Sequence, residues 1–508
     1  MSTKKAILLS LASWGLLTLS FPPLPLGPGA LIFLAPWFYV LKTASKRTAL
    51  LSSYLGAFLF NAASIYWLYH VGEVAPPALI FSGLFLGFAF LSLFTLLCAW
   101  VFVKIKGLFD GAALILLFSF FWAGIEVLRS KGDMSFPWLS LGLVFGNSIE
   151  FMQAFTLIGV FGCSALIIAS NMCLATAVLK KKKLFAFVPL ILAACLYIGG
   201  YGTMIYEDNT TFIRDEVIKD TITVALVQPS IHQTKKWSKE YYDSVMRQTW
   251  DLFATLDPGD VSLILFPETA IPDDMNIRNS EYEFLDNYAT KNNTAIVIGA
   301  LSKIRGKEQG KKGYSVYNSA FLFGSGYPAA EYRKIHLVPF SEKVPFDNIF
   351  PVVNYVDLGG GDFSRGDSLS VWQPGGFSPL VCYEAIYGSI LRDAKRKGAK
   401  FIANITNDGW FMRSIAPYQH LNLVRAHAVE NGIGVARAAN TGISAFIEPN
   451  GRIIEKTELF EQKIVVRGIP LSTRFTLYSV IGDYVELFLF VFSLAMIITA
   501  LFFRSRLK

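Results

Sequence analysis

Charged side chains are scarce in this sequence of 508 residues. They make up 17% of it, whereas hydrophobic residues make up 53%, and this balance excludes an ordinary soluble protein. The apolar excess lies before Asp208 and at the C-terminal end, whereas the stretch from Asp208 to Leu477 has the charges, turn residues and short alternating runs of a soluble domain. The composition therefore predicts one part of the chain in lipid and another in water.

Histidine is also rare. The sequence has five histidines, and His336, His420 and His427 do not have the spacing of metal ligands. No glycine-rich phosphate-binding loop, internal repeat or low-complexity tract is present, so we expect no metal and no other cofactor. The formal net charge is +8, but much of the positive excess lies beside apolar runs. There Lys and Arg set membrane orientation, so we expect no nucleic acid partner.

Cysteine is nearly absent from the polar stretch. Cys98, Cys163, Cys173 and Cys195 lie in apolar runs, where a small polarizable side chain simply packs. Cys382 is the one cysteine of the polar stretch, which therefore has no internal disulfide. Cys382 is either a buried inert thiol or a reactive one.

The apolar parts contain runs long enough to cross a bilayer as helices. We predict eight spans: Ala6–Phe21, Gly29–Leu41, Ala49–Tyr69, Pro77–Val103, Gly111–Leu128, Glu150–Leu179, Leu184–Ile205 and Val485–Phe503. The first two are short and joined by a Pro-rich hairpin, so their ends are the least defined. A cleaved signal peptide is the alternative for the first run, but further spans follow at once and no small-residue cleavage site is evident.

Lys and Arg are distributed unequally between alternate loops. One set of loops contains fourteen of them: Lys4, Lys5, Lys42, Lys46, Arg47, Lys104, Lys106, Lys180, Lys181, Lys182, Lys183, Arg504, Arg506 and Lys508. The opposite short loops contain Arg129 and Lys131. Because positive loops stay in the cytoplasm, both termini are predicted to be cytoplasmic. The predicted organisation is a seven-helix membrane domain (1–207), an extracytoplasmic domain (208–477) and a C-terminal membrane helix with a cytoplasmic tail (478–508).

The polar stretch alternates β-branched runs with helical patterns. Predicted strands are Ile222–Val227, Val261–Phe266, Ala295–Ala300, Tyr317–Phe323, Ser378–Val381, Phe401–Thr406, Gly434–Ala438 and Ser444–Ile447. Predicted helices are Lys239–Leu256, a helix that follows Cys382 and ends at Lys397, and His420–Asn431. This alternation predicts a layered α/β fold with reactive residues at strand ends.

Three residues stand out: Glu268 follows an apolar strand in LILFPE, Lys334 lies in EYRKIHLVPFSE, and Cys382 follows a strand in PLVCYE. A carboxylate at the lip of a buried strand is costly unless it is hydrogen-bonded or paired. Each residue alone has a simpler interpretation. Glu268 would be a helix cap or a surface acid, Lys334 a solvated cation, and Cys382 a core thiol.

Together the three blocks resemble the nitrilase, or carbon–nitrogen hydrolase, superfamily. The later run from Arg425 to Glu430, with Ala439 to Ser444, resembles it as well. This resemblance implies an inserted αββα sandwich domain and a Glu–Lys–Cys triad in this chain order, with each residue at the end of a strand.

Nearly the whole chain resembles the bacterial apolipoprotein N-acyltransferase family, in which seven helices precede a nitrilase-like domain and one follows it. The resemblance implies an acyltransferase of the bacterial inner membrane whose catalytic domain faces the periplasm. Such an enzyme takes an acyl chain from a phospholipid onto its cysteine. It passes that chain to the α-amino group of the diacylglyceryl-cysteine of an apolipoprotein, the final step of lipoprotein maturation. Membrane lipid is a further implied partner, and we expect a monomer.

The residue chemistry fits this activity. A cysteine attacks as the thiolate, and Glu268 can accept the Cys382 proton as a general base. Lys334, together with the backbone N–H of Tyr383, can stabilise the oxyanion that forms. The N-terminus of the helix after Cys382 is expected to favour the thiolate.

Four supporting residues are carried over from the resemblance: Trp237, Glu342, Tyr383 and Glu384. Glu342 would orient the lysine or the amine, and Tyr383 and Glu384 flank the nucleophile. Trp237 would lie near a lipid entrance, or it is an interfacial aromatic, which is equally expected beside a membrane. Trp410 and Phe411 either line an acyl channel or belong to the core.

Two other functions compete with acyl transfer. A membrane-anchored hydrolase of the same superfamily would act on a small amide or nitrile, and the triad alone does not separate the two reactions. A soluble substrate needs no seven-helix platform, however, whereas both lipid substrates are in the bilayer. A transporter with a sensor domain would have charged residues within several spans, where Glu126 is a lone candidate.

Overall fold

The chain folds as two compact units, one inserted into the sequence of the other. The structure is a computed structural model that describes residues 1–71, 77–209, 218–276, 280–305, 314–324, 329–346 and 362–502. The helical unit comprises Met1–Tyr206 and Thr476–Lys508, and the sheet unit comprises Glu207–Phe475.

The helical unit, where it is described, is built of α-helices joined by short turns. They are α1 (Thr3–Thr18), α2 (Ala30–Phe33), α3 (Ala35–Thr43), α4 (Lys46–Ser64), α5 (Leu68–Val71), α6 (Pro77–Ile105), α7 (Gly111–Arg129), α8 (Ile149–Met152), α9 (Phe155–Lys180), α10 (Lys183–Asn209) and a C-terminal helix (Leu477–Phe502). Five of them, α6, α7, α9, α10 and the C-terminal helix, are long and apolar enough to cross a membrane. The prediction of a polytopic helical domain is therefore confirmed.

Three of the eight predicted spans are not continuous helices. The predicted span Ala49–Tyr69 is divided between α4, which ends at Ser64, and α5, which begins at Leu68. The predicted span Gly29–Leu41 is divided between α2 and α3, because Pro36 lies in the first turn of α3 and proline cannot continue a preceding helix. The predicted span Glu150–Leu179 is divided between α8 and α9. The C-terminal helix begins at Leu477, earlier than the predicted Val485, and the predicted end at Phe503 lies outside the described residues.

A carboxylate is buried inside the helical unit. Glu126 of α7 is 4% exposed. Its Oε1 accepts hydrogen bonds from Trp122 Nε1 and from the backbone N–H of Leu141, both at 2.9 Å, and its Oε2 accepts one from Ser164 Oγ at 2.6 Å. These bonds connect α7 to the 3-10 turn at Leu141 and to α9. Glu126 therefore has a structural role, which removes the main support for a transporter.

The sheet unit has two sheets. Its described strands are β1 (Ile218–Gln228), β2 (Leu263–Leu265), β3 (Ile271–Asp274), β4 (Ala295–Arg305), β5 (Tyr314–Gly324), β6 (Ala330–Arg333), β7 (Phe377–Val381), β8 (Phe401–Thr406), β9 (Gly434–Ala439), β10 (Ala445–Ile447), β11 (Ile453–Lys456) and β12 (Lys463–Ser472). The first sheet has the order β12-β1-β2-β4-β5-β6, with β3 beside β4, and the second has the order β11-β10-β9-β8-β7. β1, β2 and β4 are parallel, and so are β7, β8 and β9.

Helices cover the outer faces of the two sheets. They are α11 (Gln233–Lys236), α12 (Tyr242–Phe253), α13 (Ser280–Asn292), α14 (Gly388–Arg396) and α15 (Ala416–Asn431). Phe253 of α12 and Leu285 of α13 share one core cluster with Ile264 and Ile296 of the first sheet. α15 packs against α14 and β9, and the two sheets pack against each other. The result is the expected αββα sandwich.

Four strands were not predicted from the sequence. β3, β6 and β11 have only four residues each, which is too short for a clear alternating pattern. β12 contains Gly468 and Pro470 and lies at the edge of its sheet. Proline is confined to such edges because it lacks the N–H that an inner strand needs.

Candidate active site

Three strand ends bring the predicted triad into one region. Glu268 lies shortly after β2, Lys334 directly follows β6, and Cys382 directly follows β7. Glu268 and Lys334 therefore come from the first sheet and Cys382 from the second. Since the two sheets pack face to face, residues at these strand ends can meet across the sandwich.

The ammonium of Lys334 lies between two carboxylates. Its Nζ is 2.8 Å from Oε1 of Glu342 and 3.3 Å from Oε1 of Glu268. The amide Nδ2 of Asn318 donates to the same two oxygens, at 2.8 Å for Glu268 and 3.0 Å for Glu342. All four residues are buried, and Lys334 is only 1% exposed. Glu342, expected to orient the lysine, is in direct contact with it.

The electrostatics of this cluster keep Lys334 charged. Burial alone would lower the pKa of Lys334, but the carboxylates of Glu268 and Glu342 outweigh burial and raise it. A fixed cation in a water-poor site is what stabilises an oxyanion. Two carboxylates and one ammonium leave one net negative charge, so the cluster can also accept a proton.

Cys382 has an unusual main-chain conformation. Its φ is +53°, which a residue other than glycine rarely adopts and which is common at functional sites. The residue is partly exposed and begins a 3-10 turn, Cys382–Ile386. Burial raises the pKa of its thiol above the ordinary value, the Glu268 carboxylate adds to this, and Lys334 opposes it. The resting thiol is therefore protonated.

The expectation that a helix N-terminus favours the thiolate is wrong. The helix that follows the nucleophile, α14, begins only at Gly388, and the 3-10 turn comes between them. The effect of a helix dipole falls off within its first turn. The thiolate must instead form by transfer of the Cys382 proton to a base.

Glu384 connects the two strand ends that carry Lys334 and Cys382. Its side chain is fully buried. Oε1 accepts hydrogen bonds from Tyr332 Oη at 2.8 Å and from the backbone N–H of Ile335 at 2.6 Å, and Oε2 accepts one from the backbone N–H of Val381 at 2.7 Å. Burial raises the pKa of Glu384 to about 7, although these hydrogen bonds oppose the shift. Glu384 thus holds the lysine segment against the nucleophile segment.

Tyr383 is buried beside the nucleophile, whereas Trp237 and Trp410 are more exposed. Tyr383 is buried, and its ring packs edge-on against Tyr387 with centroids 5.5 Å apart. Trp237 follows α11 and is 42% exposed. Trp410 lies in a 3-10 turn, Asp408–Phe411, and is partly exposed. Within the described part of the chain, neither tryptophan forms a hydrogen bond or ring contact with the triad.

A buried polar network supports Cys382 from the second sheet. Arg437 Nη2 donates to Asp408 Oδ2 at 2.8 Å, and His420 Nδ1 lies 2.9 Å from Asp408 Oδ1. Arg437 Nη1 donates to Asn404 Oδ1 at 2.6 Å, while Asn404 Nδ2 lies 3.5 Å from the carbonyl oxygen of Cys382. All four network residues are at most 1% exposed. The nucleophile turn is therefore held through its own carbonyl group.

The charges of this network are fixed by pairing. Burial would raise the pKa of Asp408, but Arg437 and His420 lower it to about 2. The pKa of His420 is lowered by burial and by Arg437. The network at neutral pH is thus an ion pair of Asp408 and Arg437 with a neutral histidine.

Sequence reasoning missed three residues of this region. Asn318 was the best signalled, because it is a polar residue inside the apolar strand run YSVYNSAFLF. Lys236 lies beside Trp237 in HQTKKW, where it resembles an ordinary surface lysine. Arg437 lies within a buried strand, and its partners Asn404 and Asp408 are distant in sequence.

Among the residues that the structure describes, no group of three or more His, Cys, Asp or Glu side chains is arranged to hold a metal ion. The reactive side chains of the site are a thiol, carboxylates and buried amines.

Comparison with known proteins gives matches to both units. The carbon–nitrogen hydrolase family model matches residues 223–475, and the model of the apolipoprotein N-acyltransferase N-terminal domain matches residues 13–173. The apolipoprotein N-acyltransferase of Geobacter metallireducens is 30% identical, over 94% of this chain and 92% of that protein. That of Haemophilus influenzae is 30% identical over 91% and 89%, and that of Rickettsia typhi is 33% identical over 75% of each.

The two family matches coincide with the two structural units. The N-terminal domain model falls within the helical unit, and the hydrolase model falls within the sheet unit. The relatives are similar over nearly their whole length, so the resemblance is not limited to the hydrolase fold. The chain therefore belongs to the apolipoprotein N-acyltransferase family and is a membrane acyltransferase with a carbon–nitrogen hydrolase catalytic domain.

Proposed function

We propose that this enzyme transfers an acyl chain from a phospholipid, through a thioester on Cys382, to the α-amino group of the diacylglyceryl-cysteine of an apolipoprotein. The observation that carries the proposal is the buried cluster of Lys334 between Glu268 and Glu342, with Cys382 within its electrostatic range. This arrangement supplies a nucleophile, a base and a fixed cation to one reacting carbonyl group.

The first half-reaction loads the enzyme. Glu268 accepts the proton of the Cys382 thiol, and the sulfur attacks the ester carbonyl carbon of the phospholipid. The carbon–sulfur bond forms, and Lys334 stabilises the negative charge that develops on the carbonyl oxygen. The ester carbon–oxygen bond then breaks, and the lysophospholipid oxygen takes the proton from Glu268. The enzyme is left with a thioester on Cys382.

The second half-reaction unloads the enzyme with the same groups. The amine of the lipoprotein attacks the thioester carbon, and the new carbon–nitrogen bond forms as Glu268 takes a proton from nitrogen. The carbon–sulfur bond breaks, and the leaving sulfur of Cys382 regains the proton from Glu268. The product is an amide. One base and one cation therefore serve both steps in turn, which predicts ping-pong kinetics.

Hydrolysis by the same triad is the competing function. A hydrolase would complete the cycle with water, and nothing in Glu268, Lys334 or Cys382 alone prevents that. The helical unit favours acyl transfer, because its apolar helices suit two substrates that are both held in a bilayer. A small soluble amide would gain nothing from such a unit.

The experiment is mass spectrometry of the purified protein mixed with phospholipid. We expect an acyl adduct on Cys382 that accumulates in the absence of lipoprotein. A diacylated lipopeptide with a free α-amine should discharge the adduct and become triacylated, whereas the same lipopeptide with an acetylated amine should leave it intact. Rapid release of free fatty acid without any lipopeptide would contradict acyl transfer and favour the hydrolase.

The proposed location is the bacterial inner membrane, with the sheet unit in the periplasm and the enzyme acting as a monomer without nucleic acid. The distribution of Lys and Arg between alternate loops supports this orientation. A membrane-impermeant protease applied to intact spheroplasts should cleave the sheet unit. Cleavage only after the membrane is broken would contradict the orientation without affecting the chemistry.

A further inference from the structure

Two neighbouring residues of the sheet unit show the reverse of their usual burial. Lys236, the last residue of α11, is 3% exposed, whereas Trp237 is 42% exposed. Lysine is among the residues least often buried, and tryptophan is highly buried on average. The adjacent Lys235 is exposed, so burial is not common to the lysines of this turn. A specific contact therefore holds Lys236 inside.

That contact is with the proposed base. Lys236 Nζ donates a hydrogen bond to the backbone carbonyl oxygen of Glu268 at 2.8 Å. The next residue, Thr269, has φ +47°, and a Cβ added to Gly299 would come within 2.6 Å of Glu268 Cα. The main chain at Glu268 is thus confined between β4 and the lysine. Lys236 fixes the turn that presents the Glu268 carboxylate to Lys334.

Lys236 is also electrostatically coupled to the nucleophile. Burial lowers the pKa of Lys236 to about 7, whereas the negative charges of Glu268 and of the Cys382 thiolate raise it. Formation of the thiolate therefore favours the charged form of Lys236. The other charged groups that act on Cys382 are Glu268, Lys334 and Asp408, and both of these carboxylates disfavour the thiolate.

The two buried lysines differ in how far their charge is neutralised. Lys334 has carboxylate partners at 2.8 and 3.3 Å. Lys236 meets Glu268 through an uncharged carbonyl group, and the structure gives it no ion pair among the described residues. When Lys236 is protonated, its charge is therefore less neutralised by direct ion pairing than the charge of Lys334.

We propose that Lys236 is a positioning residue for acyl transfer, which holds the Glu268 turn in place and supplies a second positive charge to the Cys382 thiolate. This inference rests on the proposed function in one respect, namely that Cys382 is the nucleophile. The packing of the short helix α11 and the activation of the thiol are therefore linked. Lys236, which supplies the second positive charge, is the last residue of that helix.

The experiment measures the reactivity of the thiol without any lipid substrate. Full-length protein in detergent is treated with iodoacetamide from about pH 7 to about pH 11, and alkylation of Cys382 is followed by peptide mass spectrometry. The range extends well above the free thiol pKa of about 8.5, because burial raises the pKa of Cys382. The alkylation rate rises with pH as the thiol ionises. Lys236→Met should raise the midpoint of this pH dependence by about one pH unit, because a nearby positive charge favours the thiolate. Alkylation should be about tenfold slower below the midpoint and similar above it.

Two variants control this measurement. Lys235→Met removes the same charge from the exposed neighbouring position and should leave the midpoint unchanged. Lys236→Arg keeps the charge and should lie between the wild type and Lys236→Met. If Lys236→Met does not fold, as judged by thermal unfolding, Lys236→Gln replaces it, since glutamine keeps an N–H donor but no charge.

An unchanged midpoint in the charge-removing variant would overturn the inference, and so would an equal shift in Lys235→Met. A rate that falls by the same factor at every pH would indicate packing alone and would overturn it as well. Because alkylation requires neither phospholipid nor lipoprotein, a wild-type enzyme that fails to transfer acyl chains would contradict the proposed function only. The shift of the Cys382 midpoint would still decide the role of Lys236.

Discussion

Lys334 is paired more closely with Glu342 than with the proposed base: its Nζ is 2.8 Å from Oε1 of Glu342, compared with 3.3 Å for Glu268. Glu342 therefore neutralises part of the lysine charge and leaves Glu268 better able to accept a proton. Glu342→Gln removes this partner, so that Lys334 stabilises ionised Glu268 alone and weakens it as a base. We expect the acylation of Cys382 to slow by roughly 10-fold to 100-fold, a part of the roughly 10²–10⁴-fold that a general base contributes.

The rate of acyl-enzyme formation, followed by mass spectrometry, checks this prediction. Glu331→Gln is the matched control, because Glu331 is a carboxylate of β6 that is ion-paired with Arg333 of the same strand and lies outside the cluster. Equal rates in the two variants would show that Glu342 does not tune the base.

The three triad residues should fail in different ways. Cys382→Ala removes the nucleophile and should abolish the acyl adduct entirely. Lys334→Ala removes the cation and should reduce acylation by roughly 10²–10³, the range for one lost oxyanion donor. Glu268→Gln keeps the shape of the side chain but cannot accept a proton, so its acylation should also be severely reduced. Near-wild-type acylation in either of the last two variants would exclude that residue from the mechanism.

The hydrogen bonds of Glu384 predict a graded response. Tyr332→Phe removes one donor and should lower the free energy of unfolding by about 1 kcal/mol while most activity remains. Glu384→Gln places an amide group among N–H donors and should cause a larger loss of both stability and acylation. Thermal unfolding and acylation of each variant are the measurements. A Tyr332→Phe variant as impaired as Glu384→Gln would indicate that the hydroxyl, rather than the carboxyl, connects the two segments.

Glu384 also predicts a pH dependence of stability. Its pKa is raised to about 7 in the folded protein, so the folded state favours the protonated form. A raised pKa contributes stability that is full below the unfolded pKa, about 4.3, and is lost as the pH rises to about 7. The melting temperature of the wild type should therefore fall between about pH 5 and pH 7 more than that of Glu384→Gln. Parallel curves for the two proteins would contradict this.

The ion pair beneath the nucleophile predicts a non-additive pair of mutations. Arg437→Met leaves Asp408 buried without its cation and should destabilise the protein by roughly 3–5 kcal/mol. Adding Asp408→Asn removes the unpaired charge, so the double variant should recover part of that loss. Denaturant unfolding of the wild type, of both single variants and of the double variant tests the coupling. A double variant less stable than Arg437→Met by the full effect of Asp408→Asn would show that the two residues act independently.

Much of the site could be predicted because its residues lie in short blocks at strand ends. Apolar β-branched runs predicted β2 and β7, and the polar residue that follows each run identified Glu268 and Cys382. The sequence did not indicate that a 3-10 turn, which begins at Cys382 with φ +53°, precedes the helix.

Other residues of the site depend on contacts between distant segments. Lys236 is buried only because the carbonyl group of Glu268, 32 residues away, accepts its hydrogen bond. Arg437 is likewise defined by Asp408, 29 residues away. A local sequence pattern contains no signal for such pairs. A buried lysine beside the active site, such as Lys236, therefore cannot be distinguished in sequence from a surface lysine. Asn318 and Arg437, polar residues inside apolar strands, had a local signal of burial, but the sequence did not indicate their partners.

The pairing of β1 with β12 has a consequence for the history of the chain. The first and last strands of the sheet unit lie side by side and antiparallel, with Ile218 opposite Ser472. The polypeptide therefore enters and leaves this fold at one place, which is the arrangement that tolerates insertion of one domain into another. A single gene insertion between two helix-coding segments can therefore join a free-standing hydrolase to a membrane protein without opening the hydrolase fold.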